Sequence, residues 1–101
     1  IEQARSDGGT IVTGGGKGSE IGYFVEPTVI TGLGPDCKVN QEEIFGPVLT
    51  VYVYPREQYA ETMELCDTTS PYALTGAIFA QDRFAIVEAT KALEQPGGLF
   101  R

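Results

Sequence analysis

The sequence predicts an α/β fold: a partial parallel sheet with crossover helices, plus a small antiparallel or edge strand element near the N-terminus. Three observations predict it. Residues 48–54, Val48-Leu49-Thr50-Val51-Tyr52-Val53-Tyr54, are dense in β-branched and aromatic side chains and read as a strand. Residues 73–80 are an almost unbroken apolar run, as in strands buried on both faces of a parallel sheet. Between and after these runs apolar residues recur at helical spacing, and each connection is long enough for a right-handed crossover.

The elements follow in order. Residues 1–9 read as the end of a helix stopped by Gly8-Gly9. Thr10-Ile11-Val12-Thr13 is a short β-branched strand. The glycine-rich stretch 14–19 ends it, and strand character resumes at Ile21-Gly22-Tyr23-Phe24-Val25 and again at Thr28-Val29-Ile30. Pro27 removes one ladder donor between those runs, so an edge position or a break is expected there. A loop marked by Gly32, Gly34 and Pro35 precedes the strand at 48–54. Pro55 ends that strand and suits the first turn of a helix, on which Tyr59, Met63 and Cys66 share one face. Thr68-Thr69-Ser70-Pro71 breaks that helix. Asp82 is the expected N-cap of a second helix, with Ile86, Ala89 or Thr90, and Leu93 on its apolar side. Pro96-Gly97-Gly98 stops it, and Leu99-Phe100 opens another apolar run.

Composition removes several function classes. The 101 residues carry 14 carboxylates against 7 basic side chains, and a net charge of -7 repels phosphate backbones, which argues against nucleic acid as a partner. There is no His, so this chain alone supplies neither a Ser-His-Asp or Cys-His pair nor a His-ligated zinc. Cys37 and Cys66 form no CxxC pair and stand too few for a disulfide framework; no metal site is expected and two reduced thiols are. No apolar run approaches the roughly 20 residues of a membrane span, and no signal-peptide pattern is visible. The length allows one domain at most. The chain opens on Ile1 and stops at Arg101 within an apolar run, which leads us to expect a single incomplete piece of a larger domain.

Each candidate site has a structural counterpart. The glycines at 14–18 invite a phosphate loop, but Gly16-Lys17 is followed by Gly18 rather than Ser or Thr, and a G-x-G-x-x-G run from Gly14 would need glycine where Ser19 stands. An exposed hairpin loop is the better reading. Glu42-Glu43 offers paired carboxylates, yet neighbours in an extended chain point to opposite sides, so only one would face a given site. Tyr52 and Tyr54 read as packing residues. Cys66 falls on the expected buried face of its helix among acidic neighbours that disfavour a thiolate; Cys37 is expected to be the more exposed, but no base accompanies it.

Gly22-Tyr23-Phe24-Val25-Glu26-Pro27-Thr28-Val29, then Glu42-Glu43-Ile44-Phe45-Gly46-Pro47-Val48, then Tyr72-Ala73-Leu74-Thr75-Gly76-Ala77-Ile78-Phe79 resemble the aldehyde dehydrogenase superfamily, in that order. The runs from Phe45 to Pro55 and from Leu74 to Asp82 look most like its Δ1-pyrroline-5-carboxylate dehydrogenase branch. The resemblance implies oxidation of glutamate γ-semialdehyde to glutamate in proline catabolism, with NAD as cofactor. A cysteine thiolate attacks the aldehyde, hydride passes to NAD, and water hydrolyses the thioester. It also implies a homo-oligomer, and the mitochondrial matrix in a eukaryote or the cytoplasm otherwise. The Glu of the Glu-Ile-Phe-Gly-Pro motif, here Glu43, is implied to contact the hydroxyls of the nicotinamide ribose. Phe45 is implied to pack near the nicotinamide end. An ionised carboxylate accepts hydrogen bonds from a diol, and alternation sets 43 and 45 on one side, with Glu42 facing elsewhere.

The departures are equally informative. The family's nucleophilic cysteine stands in a Gly-Gln-x-Cys context that neither Cys37 nor Cys66 matches, and its general-base Glu motif and Rossmann domain are missing. No catalytic residue is therefore assigned, and the 101-residue chain by itself is expected to be inactive. Taken literally, the chain also fits a stand-alone acidic α/β interaction module without chemistry. A non-catalytic acyl-phosphate or semialdehyde relative would lack the Glu-Ile-Phe-Gly-Pro element present here.

Overall fold

In the computed structural model, residues 1–72 and 75–94 are described. They fall into two compact units, Ile1–Val53 and the part that begins at Tyr54.

The first unit opens with helix α1, Glu2–Ser6. Glu2 sits in its positive first turn and pairs with Arg5 across one helical turn. Ala4 is fully buried, and the helix stops at the expected glycines, where the Gly8 N–H donates to the Arg5 carbonyl at 3.1 Å. Strands β1, Thr10–Thr13, β2, Thr28–Thr31, and β3, Val48–Val51, form one sheet in the order β1-β2-β3. β1 runs antiparallel to β2, with Ile11 opposite Ile30 and a bulge at Val12. β2 runs parallel to β3, with Thr28 opposite Val48 and Thr31 opposite Val51. The sheet is thus mixed, with the antiparallel strand at its N-terminal edge. Between β2 and β3 lies the short helix α2, Lys38–Gln41.

The core of this unit is Ala4, Ile30, Leu33 and Val39, with Ile11, Cys37 and Val48 packed against it. Side chains alternate along β2, so Thr28 and Ile30 go inward while Val29 and Thr31 are half-buried. On β3 the same alternation leaves Leu49 60% exposed.

Three strand expectations change. The run 21–25 joins no ladder and is exposed. β1 takes β2 as its partner, so 14–27 becomes one long excursion between the paired strands, tied down at Glu26, whose N–H donates to the Gly16 carbonyl at 3.0 Å. Pro27 marks the break, and β2 starts one residue later. The strand expected at 48–54 ends at Val51, because its partner ends at Thr31 and a ladder cannot outlast its shorter strand.

The second unit is helical among the described residues. Pro55 leads into a 3-10 turn at Arg56–Gln58 and then helix α3, Tyr59–Thr68. Helix α4, Arg83–Ala92, is capped as expected: Asp82 Oδ1 accepts the Phe84 N–H at 2.8 Å. Ala89 and Leu93 are buried and Ile86 is half-buried, which matches the expected apolar side. Residues 75–80 form no strand, since apolarity favours burial but a ladder needs a partner and this unit holds no described strand. The rest of that expected strand, Ala73 and Leu74, and the stop at Pro96-Gly97-Gly98 with the run after it, lie outside the described residues. On α3 the buried position is Thr62, whose hydroxyl returns to the Gln58 carbonyl at 2.6 Å, while Cys66 is exposed rather than buried.

Candidate cofactor-binding site

The segment 42–47 leaves α2 and enters β3 without regular structure. Glu42 is the C-cap of α2 in an extended conformation (φ -103°, ψ 139°), so the chain turns out of the helix there and carries Glu43 and Phe45 into solvent. Phe45 is 94% exposed. Glu43 and Phe45 line one groove of about 350 Å³, together with Val39, Val48 and Thr50. The sequence pattern had paired these two residues on one side, and the structure brings them together.

Glu42 lines the same groove, which corrects the expectation that it faces elsewhere. Alternation holds in a strand, and this segment is not one. Glu42 is distinguished by its partner instead: Lys38 Nζ lies 3.7 Å from its carboxylate, one helical turn back. That pair is exposed and contributes at most about 1 kcal/mol. The pair places one positive charge beside the two adjacent carboxylates. Among the described residues Glu43 makes no hydrogen bond or ion pair, and it remains the groove's available acceptor. Such a carboxylate fits a ligand that offers a vicinal diol, and the exposed Phe45 ring offers an apolar face beside it.

Helix α2 holds this segment in place. Val39 is buried beneath it, and Asn40 Nδ2 donates to the Gly34 carbonyl at 2.7 Å. Sequence reading missed both Asn40 and Lys38. The Lys38–Glu42 spacing of i, i+4 was the one available signal.

The other candidates resolve on geometry. Two N–H donors of the glycine stretch are spent within the protein: Gly15 on Thr28 Oγ1 and Gly16 on Glu26 Oε2, each at 2.9 Å. A carboxylate aimed into the loop repels phosphate, which disfavours a phosphate site; the glycines lie at the start of the exposed 14–27 excursion rather than in a tight hairpin loop. Cys37 is half-buried against the core and Cys66 is the exposed thiol, the reverse of the expectation from context. Cys37 is not among the residues that line the groove. Among the described residues no three His, Cys, Asp or Glu side chains cluster as metal ligands, and no helix is long and apolar enough to cross a membrane.

Known proteins share both sequence and fold with this chain. Residues 1–98 match the model of the aldehyde dehydrogenase family. The chain is 54% identical over 99 residues to the mitochondrial delta-1-pyrroline-5-carboxylate dehydrogenase of Danio rerio, covering 97% of this chain and 18% of that protein. The delta-pyrroline-5-carboxylate dehydrogenase structure from Mycobacterium tuberculosis superposes with a TM-score of 0.79 at 42% identity, over 91% of this chain and 17% of that one. The 1-pyrroline-5-carboxylate dehydrogenase from Thermus, solved with bound NAD, gives 0.77 at 35% identity, over 92% and 17%. The chain therefore spans less than a fifth of the length of these relatives. With nearly every residue inside the family match and the same fold in solved members, this chain belongs to the aldehyde dehydrogenase family.

Proposed function

We propose that this chain is one piece of the catalytic domain of an NAD-dependent aldehyde dehydrogenase that oxidises glutamate γ-semialdehyde, derived from Δ1-pyrroline-5-carboxylate, to glutamate. The observation that carries this reading is the 54% identity, along almost the whole chain, to a protein of that name. The whole protein works as a homo-oligomer, in the mitochondrial matrix if its source is eukaryotic. Several relatives are named as mitochondrial, which supports that compartment.

Within that enzyme the role of this chain is to hold the cofactor's reactive end. NAD, when bound, supplies the hydride acceptor. Glu43 accepts hydrogen bonds from the ribose hydroxyls, and a charged acceptor makes these bonds stronger than neutral ones. Phe45 lies against the nicotinamide end and excludes water from it. Lys38 lies 3.7 Å from Glu42 and offsets part of the negative charge beside Glu43. The nucleophile and general base are supplied by segments of the enzyme other than this chain, so the chain alone is catalytically inactive.

The test compares the full-length enzyme with the purified 101-residue chain, each given NAD and Δ1-pyrroline-5-carboxylate. The reading expects aldehyde-dependent NADH formation by the enzyme and none by the chain. A full-length enzyme that turns over other aldehydes but not this one would overturn the substrate assignment, and turnover by the chain would overturn its assigned inactivity.

A further inference from the structure

Helix α2 has only four residues, too few to be stable by itself because nucleation costs more than one turn returns. Something outside the helix must set where it ends, and hence where Glu42 and Glu43 begin. Two contacts do so. Val39 is buried in the core with Leu33, which fixes the helix from below. In addition the exposed Gly34 carbonyl accepts two donors, the Cys37 N–H at 3.2 Å and Asn40 Nδ2 at 2.7 Å. Cys37 is the N-cap of α2, so one oxygen grips the helix at its start and again in its third residue. A carbonyl oxygen can only accept, so the Asn40 amide presents its nitrogen there. The Lys38–Glu42 pair closes the remaining turn but is exposed and weak.

From this geometry we infer that Asn40 is a positioning residue for the Glu43 carboxylate. It acts through α2 and touches neither the groove nor its ligand. Without the side-chain bond to Gly34, α2 is held by Val39 and by Cys37 at its start, and its C-terminal end can pivot about them. The pivot shifts the segment that leaves at Glu42 and spreads the Glu43 carboxylate over positions that miss a diol. The inference rests on the reading of Glu43 as the ribose contact, and the experiment separates the two.

The full-length enzyme is prepared as Asn40→Ala, Asn40→Asp, Glu43→Gln and the double variant Asn40→Ala/Glu43→Gln, and NADH affinity is titrated by fluorescence with steady-state kinetics alongside. Asn40→Ala is expected to weaken NADH binding and lower kcat by at most about three- to tenfold, the scale of one lost hydrogen bond, with the same split between kcat and KM for NAD that Glu43→Gln shows. Asn40→Asp keeps the shape, removes the donor and gives at least the same loss; it carries the test if the alanine variant folds poorly. The double variant is expected to bind no worse than Glu43→Gln alone, since Asn40 acts only through Glu43. Losses that add in the double variant, or unaltered binding in both Asn40 variants beside a weakened Glu43→Gln, overturn the positioning role and leave the Glu43 reading standing. A Glu43→Gln enzyme with both normal NADH binding and normal kcat removes the reading itself and the inference with it.

Discussion

The Thr28 hydroxyl accepts the Gly15 N–H at 2.9 Å and donates its own hydrogen to the Glu26 carbonyl at 2.8 Å. One buried side chain thus pins both ends of the 14–27 excursion to the start of the central strand. Thr28→Val keeps the β-branch and removes the bridge, leaving a partly buried N–H without its acceptor. The expected loss is about 1–3 kcal/mol, read as a lower midpoint in denaturant with the slope unchanged.

Gly14 and Gly8 both have positive φ, at +72° and +88°, yet they tolerate substitution differently. A Cβ on Gly14 would stand 2.1 Å from the Pro27 carbonyl oxygen, whereas one on Gly8 meets nothing within 4 Å. Gly8→Ala bears only the left-handed backbone penalty of roughly 1–2 kcal/mol. Gly14→Ala must in addition push the excursion away from Pro27, and is expected to melt several degrees lower than Gly8→Ala in parallel thermal scans. Equal melting points would show that the excursion yields freely.

What the sequence made legible were features with a local cause. The Gly8 stop, the Asp82 cap and the Ala89–Leu93 side of α4 are each written in a few adjacent residues, and the structure has them. The motif that carries Glu43 and Phe45 was equally readable, because residue identity alone marks it. The strands at 21–25 and 75–80 were not, since a strand exists only with a partner, and pairing is decided by residues far along the chain. The position of Glu42 was missed for a related reason: alternation presupposes an extended ladder that the segment 42–47 does not join. Asn40 escaped notice because its partner is a backbone carbonyl, which no sequence motif advertises.

Tyr59 in the second unit predicts a pH dependence. Its hydroxyl donates to the Ala85 carbonyl at 3.2 Å, joining α3 to α4. Burial raises its pKa above the ordinary tyrosine value, and the nearby Glu88 charge and Tyr54 raise it further. A raised folded-state pKa means that the folded form holds the proton more tightly than the unfolded form. The stabilisation is complete below the unfolded value of about 10 and is lost as pH rises through the folded one. Alkaline titration should therefore loosen this unit, and Tyr59→Phe should flatten that dependence while lowering neutral-pH stability by about 0.5–1.5 kcal/mol. A Tyr59→Phe variant with the same alkaline slope as the parent would place the sensitivity elsewhere.

Glu43→Gln keeps shape and polarity but removes the charge that strengthens bonds to a diol. In the full-length enzyme the expected outcome is poorer placement of the nicotinamide, seen mostly as a fall in kcat of about tenfold, the scale of replacing a charged acceptor by a neutral one. Lys38→Ala acts in the opposite sense at Glu42: with its partner gone, that carboxylate adds repulsion beside Glu43, and cofactor affinity should decline more at low salt than at high. Steady-state kinetics at two ionic strengths reads both variants, and a salt-independent Lys38→Ala would remove the role assigned to the pair.

The purified 101-residue chain is expected to be unstable or to aggregate. A chain of this length buries only about 60–70% of its surface on folding. Here large apolar side chains are left out: Leu49 at 60%, Phe84 at 86% and Phe79 at 96% exposed. Leu49 and Val51 both stand exposed on β3, which is an edge strand of the three-stranded sheet, so apolar surface coincides with unpaired backbone groups. Such an edge recruits further copies of itself. Light scattering should rise with concentration and far-ultraviolet circular dichroism should show no sharp thermal transition. Replacing Leu49 by Lys puts a charge on that edge without touching the core and should reduce the scattering. A monomeric chain that melts cooperatively would show instead that the Ala4, Ile30, Leu33 and Val39 core is sufficient to hold the first unit.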